Sequence, residues 1–304
     1  MNRREFVTLA TAAPFGLRGA LLGQLVRPPA ALVTCDSESR LAVVELGPYR
    51  VSGSIPTLPD PRSIERVGSR AVICHTSIGE VSVVAGLRVV HVIHGLVEPR
   101  YVAAHPDGVH AFITDSGRSG VVLVDVVRGR VLGRVGLPGW ARHLAADPGG
   151  RRLWIGLGSS SEEVAVVETR ELRHSATLRP AFAMHDLGRA PDGRLWVTAG
   201  EASSISVGGT RLIADAAPQH VTFGPAAAYV TSGDAGLLRV LGLDGTVRQT
   251  TRVAVGSYNV QFGFGRVITT SLAHGTLTVL DDRGSLQAQV AVADSCHDAC
   301  FWQR

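Results

Sequence analysis

The chain has 304 residues with 30 basic residues, every one of them arginine, against 26 acidic ones and a formal net charge of +4. Four arginines and one glutamate fall in the first 30 residues, so residues 31–304 carry only +1, and no basic footprint for nucleic acid is present. The absence of lysine excludes Schiff-base and P-loop chemistry.

In chain order, Asn2-Arg3-Arg4-Glu5-Phe6-Val7 followed by the mostly apolar residues 8–25 reads as a twin-arginine export signal over residues 1–30. Arg18 interrupts the apolar run, and no small-x-small cleavage site precedes Ala31. The run is too short and broken for a permanent membrane span, so the expectation is an exported protein of the extracellular space, periplasm or cell envelope. Residues 31–35, 40–46 and 49–55 then read as the second, third and fourth strands of a four-stranded unit whose first strand is missing.

That first strand belongs to a phrase that recurs seven times. Its clearest copies are Arg100-Tyr101-Val102-Ala103-Ala104-His105-Pro106-Asp107-Gly108, Arg142-His143-Leu144-Ala145-Ala146-Asp147-Pro148-Gly149-Gly150 and His185-Asp186-Leu187-Gly188-Arg189-Ala190-Pro191-Asp192-Gly193. Aligned on the first apolar residue, the copies fall at Ile64, Val102, Leu144, Leu187, Val221, Val260 and Ala299, with intervals of 38, 42, 43, 34, 39 and 39 residues. A period near 40 containing four short strands and Pro-Asp-Gly turns marks propeller blades. No stretch of residues 31–304 sustains the 3.6-residue periodicity of a long helix. The last copy, His297 to Trp302, has nothing after it and matches the strand missing at the start. The expected fold is therefore all-β: a seven-bladed propeller over residues 31–304, its closing blade built from the C-terminal inner strand and three N-terminal strands.

These repeats resemble the YVTN/NHL-type propeller superfamily over essentially all of residues 31–304. The copies ending Pro191-Asp192-Gly193-Arg194-Leu195-Trp196-Val197-Thr198 and Pro148-Gly149-Gly150-Arg151-Arg152-Leu153-Trp154-Ile155 are similar to repeats of the streptogramin lyase (virginiamycin B lyase-like) branch. The resemblance implies the fold. For activity it implies at most a lactone-opening elimination with a histidine base, for which His185, His220 and His297 are the candidates, and a divalent metal. Related calcium-dependent lactonases use a Glu/Asn/Asp set on inner strands; the two residues before each aligned position include no glutamate and only one asparagine, which disfavours that activity.

In a propeller the innermost strands line the channel, and ligands approach its mouth. The two residues before each aligned position form two columns. The outer one is Arg62, Arg100, Arg142, His185, Gln219, Tyr258 and His297; the inner one is Ser63, Tyr101, His143, Asp186, His220, Asn259 and Asp298. Their polarity makes the mouth the expected binding surface for a small molecule or a protein partner. The three arginines point to an anion, unless they pair locally, as Arg100 would with an opposing Asp115. A second grouping follows from strand adjacency. It joins Cys35, Cys296 and His297 in the closing blade to Cys74 and His75 in the next, with Cys300 one step further in. Zinc or copper, a disulfide and inert packing all remain open for it. His91, His94, His105, His110, His174 and His274 read as surface or packing, and Trp154 and Trp196 as inter-blade core. The leading expectation is a monomeric, non-enzymatic exported propeller that binds at its channel mouth. The lyase-like enzyme and a metal carrier built on the Cys/His group are the alternatives.

Overall fold

The computed structural model describes residues 29–159 and 161–303; the expected export leader lies outside them, apart from its last two residues. The described residues form seven four-stranded antiparallel sheets arranged as the blades of a propeller. Blade 1 combines Ala30–Cys35, Arg40–Glu45 and Arg50–Pro56 with the C-terminal inner strand Ala299–Trp302. The closing pair runs from Ala30 opposite Trp302 to Val33 opposite Ala299. The remaining inner strands, blades 2 to 7 in order, are Pro61–Val67, Pro99–Ala104, Ala141–Ala146, Asp186–Arg189, Val221–Phe223 and Ser257–Gly263. No helix among the described residues is long and apolar enough to cross a membrane.

Each blade meets the next across its own apolar core, and the second strands feed two cores at once. Side chains alternate across a strand. Ala111 and Ile113 accordingly pack between blades 2 and 3, while Phe112 between them packs toward blade 4. Both faces of these strands are buried, which is why they read as unbroken apolar runs rather than as polar–apolar alternation.

A polar device runs through the same strands. Five second strands place a threonine at one equivalent position: Thr34, Thr114, Thr198, Thr231 and Thr270. In four of them the hydroxyl accepts the backbone N–H of the blade's inner-column residue. The pairs are Asp298 to Thr34 at 2.9 Å, Tyr101 to Thr114 at 3.1 Å, Asp186 to Thr198 at 3.1 Å and His220 to Thr231 at 3.3 Å. Its proton goes to the next blade: Thr34 donates to the Arg62 carbonyl, Thr198 to that of Gln219, Thr231 to that of Tyr258 and Thr270 to that of His297. Two inner-column aspartates add a second tie. Asp186 Oδ2 accepts the Val221 N–H at 3.0 Å and Asp298 Oδ2 the Ile64 N–H at 3.1 Å.

Inner strands carry a further irregularity. In blades 2, 3, 4 and 7 the ladder to the second strand skips residues 62–63, 100–101, 142–143 and 258–259. Those are the two column positions of each blade. An interruption of this kind re-aims side chains away from the regular pleat, and here it delivers both columns to the channel mouth.

Replacing Thr198 by the isosteric valine strands the Asp186 N–H and the Gln219 carbonyl, both at buried residues. We expect Thr198→Val to lose about 2–3 kcal/mol in urea unfolding, and Thr198→Ser to keep most of it. Equal stability of the two variants would remove the threonine link from the account of ring closure.

Candidate metal centre

Blades 4, 5 and 6 each deliver one histidine to the mouth. His143 lies on the interrupted inner strand of blade 4. His185 immediately precedes the inner strand of blade 5, its N–H held by the Thr198 carbonyl at 2.7 Å. His220 precedes that of blade 6, with its N–H on Thr231 Oγ1. The three rings form a nearly equilateral triangle, with centroids 5.0 Å apart for His143–His185, 4.9 Å for His143–His220 and 5.1 Å for His185–His220. One nitrogen from each ring lies within 4.8 Å of the other two.

The burial of this triangle is what makes it chemically distinctive. His143 is 2% exposed, and among the described residues neither of its ring nitrogens makes a well-formed hydrogen bond, although the His185 backbone lies close enough to act on the ring. A buried imidazole in that state is costly unless something outside the protein satisfies one of its nitrogens. Tyr101 covers one face of the His143 ring at a centroid distance of 4.0 Å. Asp186 Oδ2 stands 3.4 Å from His220 Nδ1, the carboxylate–imidazole pairing that orients a metal-binding histidine and leaves its other nitrogen free. Gly200, at φ +74°, backs His185 closely: a Cβ there would sit 2.6 Å from His185 Cβ.

Protonation also favours ligation. Burial holds His143 far below the usual histidine range, with His220, His185 and the Arg142 guanidinium adding to the effect. Burial, then His220, brings His185 down to about 3 despite the opposing Asp186 carboxylate. Two of the three rings are therefore neutral at any physiological pH, the form a metal requires.

Two cavities meet at this ring. An outer vestibule of about 200 Å³ is lined by Tyr101, Arg142, His185, Gln219, His220, Tyr258, Asn259, Leu272 and His297. An inner chamber of about 210 Å³ lies along the channel beyond His143 and His220 and includes Glu65, Gln261 and Asp298. There burial pushes Glu65 up to about 7 and Asp298 up to about 8.

The structure thus gathers ten of the fourteen column residues around the vestibule or the triad, Asp186 through its contact with His220, and it gives several of the fourteen partners of their own. Arg62 pairs with Asp60 at 2.9 Å, and Arg100 pairs with Glu98. The expected Arg100–Asp115 pair does not form, because Asp115 is taken up by the N–H groups of Val97 and Glu98 and lies nearer Arg134. Asp298 serves the backbone of Ile64 and Ala299, and Asn259 donates to the His297 carbonyl at 2.8 Å.

The Cys/His grouping is dispersed over three inter-blade cores. Cys35 and Cys296 share the core between blades 1 and 7, Cys300 that between blades 1 and 2, and Cys74 that between blades 2 and 3. All four are buried free thiols. Cys35 and Cys296 do meet, with Cys296 donating to Cys35 and lowering its pKa. Cys74 occupies the position where five other blades have threonine. His75 spends both ring nitrogens within its own surroundings, on the Pro59 carbonyl at 2.9 Å and on Ser82 Oγ at 2.8 Å. The sequence signal for the true cluster was a column histidine in three consecutive repeats. A second cluster of three, His105, Asp107 and His110, belongs to an exposed turn where both rings pair with the Asp107 carboxylate.

His297, across the vestibule, is brought down to about 4 by burial and then by Arg62. A histidine depressed in the folded state resists a proton that the unfolded chain accepts, so its contribution is complete above about pH 6.5 and is lost as pH falls toward 4. For this half-buried ring we expect about 1–2 kcal/mol over that window. His297→Gln should lose correspondingly less stability between pH 6.5 and 4; parallel urea curves for both proteins across the window would contradict the assignment.

No protein-family model matches the sequence, and no curated protein matches it. Solved structures match it in fold. A functionally unknown protein from Desulfotomaculum acetoxidans has a TM-score of 0.75 at 13% identity, over 90% of this chain and 99% of that one. Hydrazine synthase of Kuenenia stuttgartiensis has a TM-score of 0.67 at 15% identity, over 79% and 89%. Virginiamycin B lyase from Staphylococcus aureus has a TM-score of 0.66 at 12% identity, over 80% and 91%. The chain is a seven-bladed β-propeller that has streptogramin lyases among its structural neighbours.

Proposed function

We propose that this protein is an exported, monomeric propeller that binds a divalent transition metal, zinc or copper, at its channel mouth through His143, His185 and His220. The observation that carries the reading is the triangle of imidazoles itself, three rings about 5 Å apart with one nitrogen each within 4.8 Å of the others and the His143 corner buried. Neutral nitrogen donors suit zinc and copper and disfavour calcium and magnesium, which take oxygen ligands. Three protein ligands leave further coordination open toward the vestibule. The role is one of holding and presenting the metal.

A second reading has its own support. The Asp186–His220 pair beside an open cavity is also the arrangement of an oriented base. The streptogramin lyases to which the fold is similar give that chemistry a form, elimination from a lactone. Of the candidate bases His185, His220 and His297, all of which line the vestibule, the Asp186 contact favours His220. Turnover of a depsipeptide or lactone that disappears in His220→Gln would move the reading to the enzyme.

Elemental analysis of protein incubated with zinc and desalted should give one metal per chain. His143→Ala, His185→Ala and His220→Ala should each abolish retention with the far-ultraviolet dichroism unchanged, whereas Cys35→Ser with Cys296→Ser should leave one equivalent. Retention by all three histidine variants would refute the site. Gly200→Ala, whose Cβ would crowd the His185 ring at 2.6 Å from its Cβ and 3.0 Å from Nδ1, should weaken zinc at least tenfold in competition with a chromophoric chelator; an unchanged affinity would mean that His185 needs no such backing.

A further inference from the structure

The vestibule carries a positive charge that the described protein groups leave unanswered. Of the three mouth arginines, Arg62 and Arg100 are neutralised by Asp60 and Glu98. Arg142 forms no ion pair among the described residues. Its guanidinium carbon lies 5.6 Å from the Trp140 ring centroid, it faces the neutral Tyr101 hydroxyl, and its Nε is buried without an acceptor. Arg142 nevertheless lines the same 200 Å³ cavity as His185 and His220.

Carboxylates nearby are already engaged. Asp186 accepts from the Val221 backbone and faces His220. Asp234 accepts from Gln219 Nε2 at 2.9 Å and from the Tyr258 hydroxyl at 2.7 Å. A divalent ion on three neutral imidazoles adds two further positive charges. Charge of that size beside a fixed guanidinium in a half-enclosed cavity calls for an anion.

We propose that the vestibule binds a small carboxylate together with the metal, one oxygen completing the metal's coordination and the other accepting from Arg142. The proposal rests on the metal reading above and deepens it by naming the co-ligand. A planar guanidinium beside an indole offers a fork of donors that suits a carboxylate's two oxygens. The cavity volume limits an enclosed ligand to the size of formate, acetate or bicarbonate, or to one carboxylate end of something larger that projects through the mouth.

Protein loaded with cobalt(II), whose visible absorption reports coordination changes, is titrated with acetate at fixed ionic strength, with cobalt stoichiometry measured on the same samples. Saturable spectral change is expected in the wild type. In Arg142→Met the acetate Kd should rise at least tenfold while cobalt binds as tightly or tighter, because a repelling charge has gone. Loss of affinity for both cobalt and acetate would show a merely structural arginine and overturn the proposal, as would equal acetate affinity in the two proteins. Full cobalt loading without any acetate response overturns this proposal alone. Zero cobalt loading overturns the metal reading with it.

Discussion

The hydroxyl of a second-strand threonine is the interaction on which the channel mouth depends. It takes an N–H from the inner strand of its own blade and gives its proton to a carbonyl on the next, at Thr34 and Thr198 and again at Thr231. A single oxygen thereby fixes two neighbouring inner strands relative to each other at the height of the columns. The apolar cores between blades hold the ring together but are non-directional. The threonines supply the direction, and because they are buried an unmade bond costs more than a made one returns. Three imidazoles from three separate blades can hold a triangle with sides near 5 Å only if the blades themselves do not slip.

The repeat made the architecture legible because each blade must solve the same packing problem, leaving the same strand-and-turn phrase at each step. The closing of the ring through residues 299–302 was likewise legible, as a strand surplus at one end and a deficit at the other. So were the two columns. Their direction and partners were not. The interruption of the ladder at Arg142 and His143 turns these residues into the channel, and no residue type announces it, whereas blade 5 pairs regularly from Asp186 onward. Arg100 finds Glu98 two residues away instead of Asp115 across the hairpin, since Asp115 is drawn to two backbone N–H groups. The cysteines mislead for a related reason. Adjacency along the strands places Cys35 and Cys74 at similar heights, but strand alternation sends them into different inter-blade cores.

Electrostatics and geometry then work in the same direction at the triangle. Placing Arg142 beside His143 and His185 looks adverse to binding a cation. Its effect on the rings, added to that of burial, is to keep them unprotonated. Proton competition is the ordinary weakness of histidine sites in mildly acidic surroundings. Among the described residues the guanidinium is also an unpaired positive charge lining the vestibule beside these rings.

Two blades break the threonine pattern, blade 2 with Cys74 and blade 4, the one that carries His143. Blade 4 has Gly156 where the relay would place a hydroxyl, and the Met184 side chain fills that space, its methyl lying 2.5 Å from where a Cβ would be. Met184 directly precedes His185, and its own N–H is held by the Ser161 carbonyl at 2.9 Å. The missing side chain in blade 4 therefore seats the residue next to a ligand of blade 5. This exchanges a polar tie for an apolar one where two ligands must converge. It also accounts for His185 entering from the outer column while His143 and His220 enter from the inner. A chain anchored at Met184 and backed by Gly200 presents its next residue, His185, at the level of the other two rings.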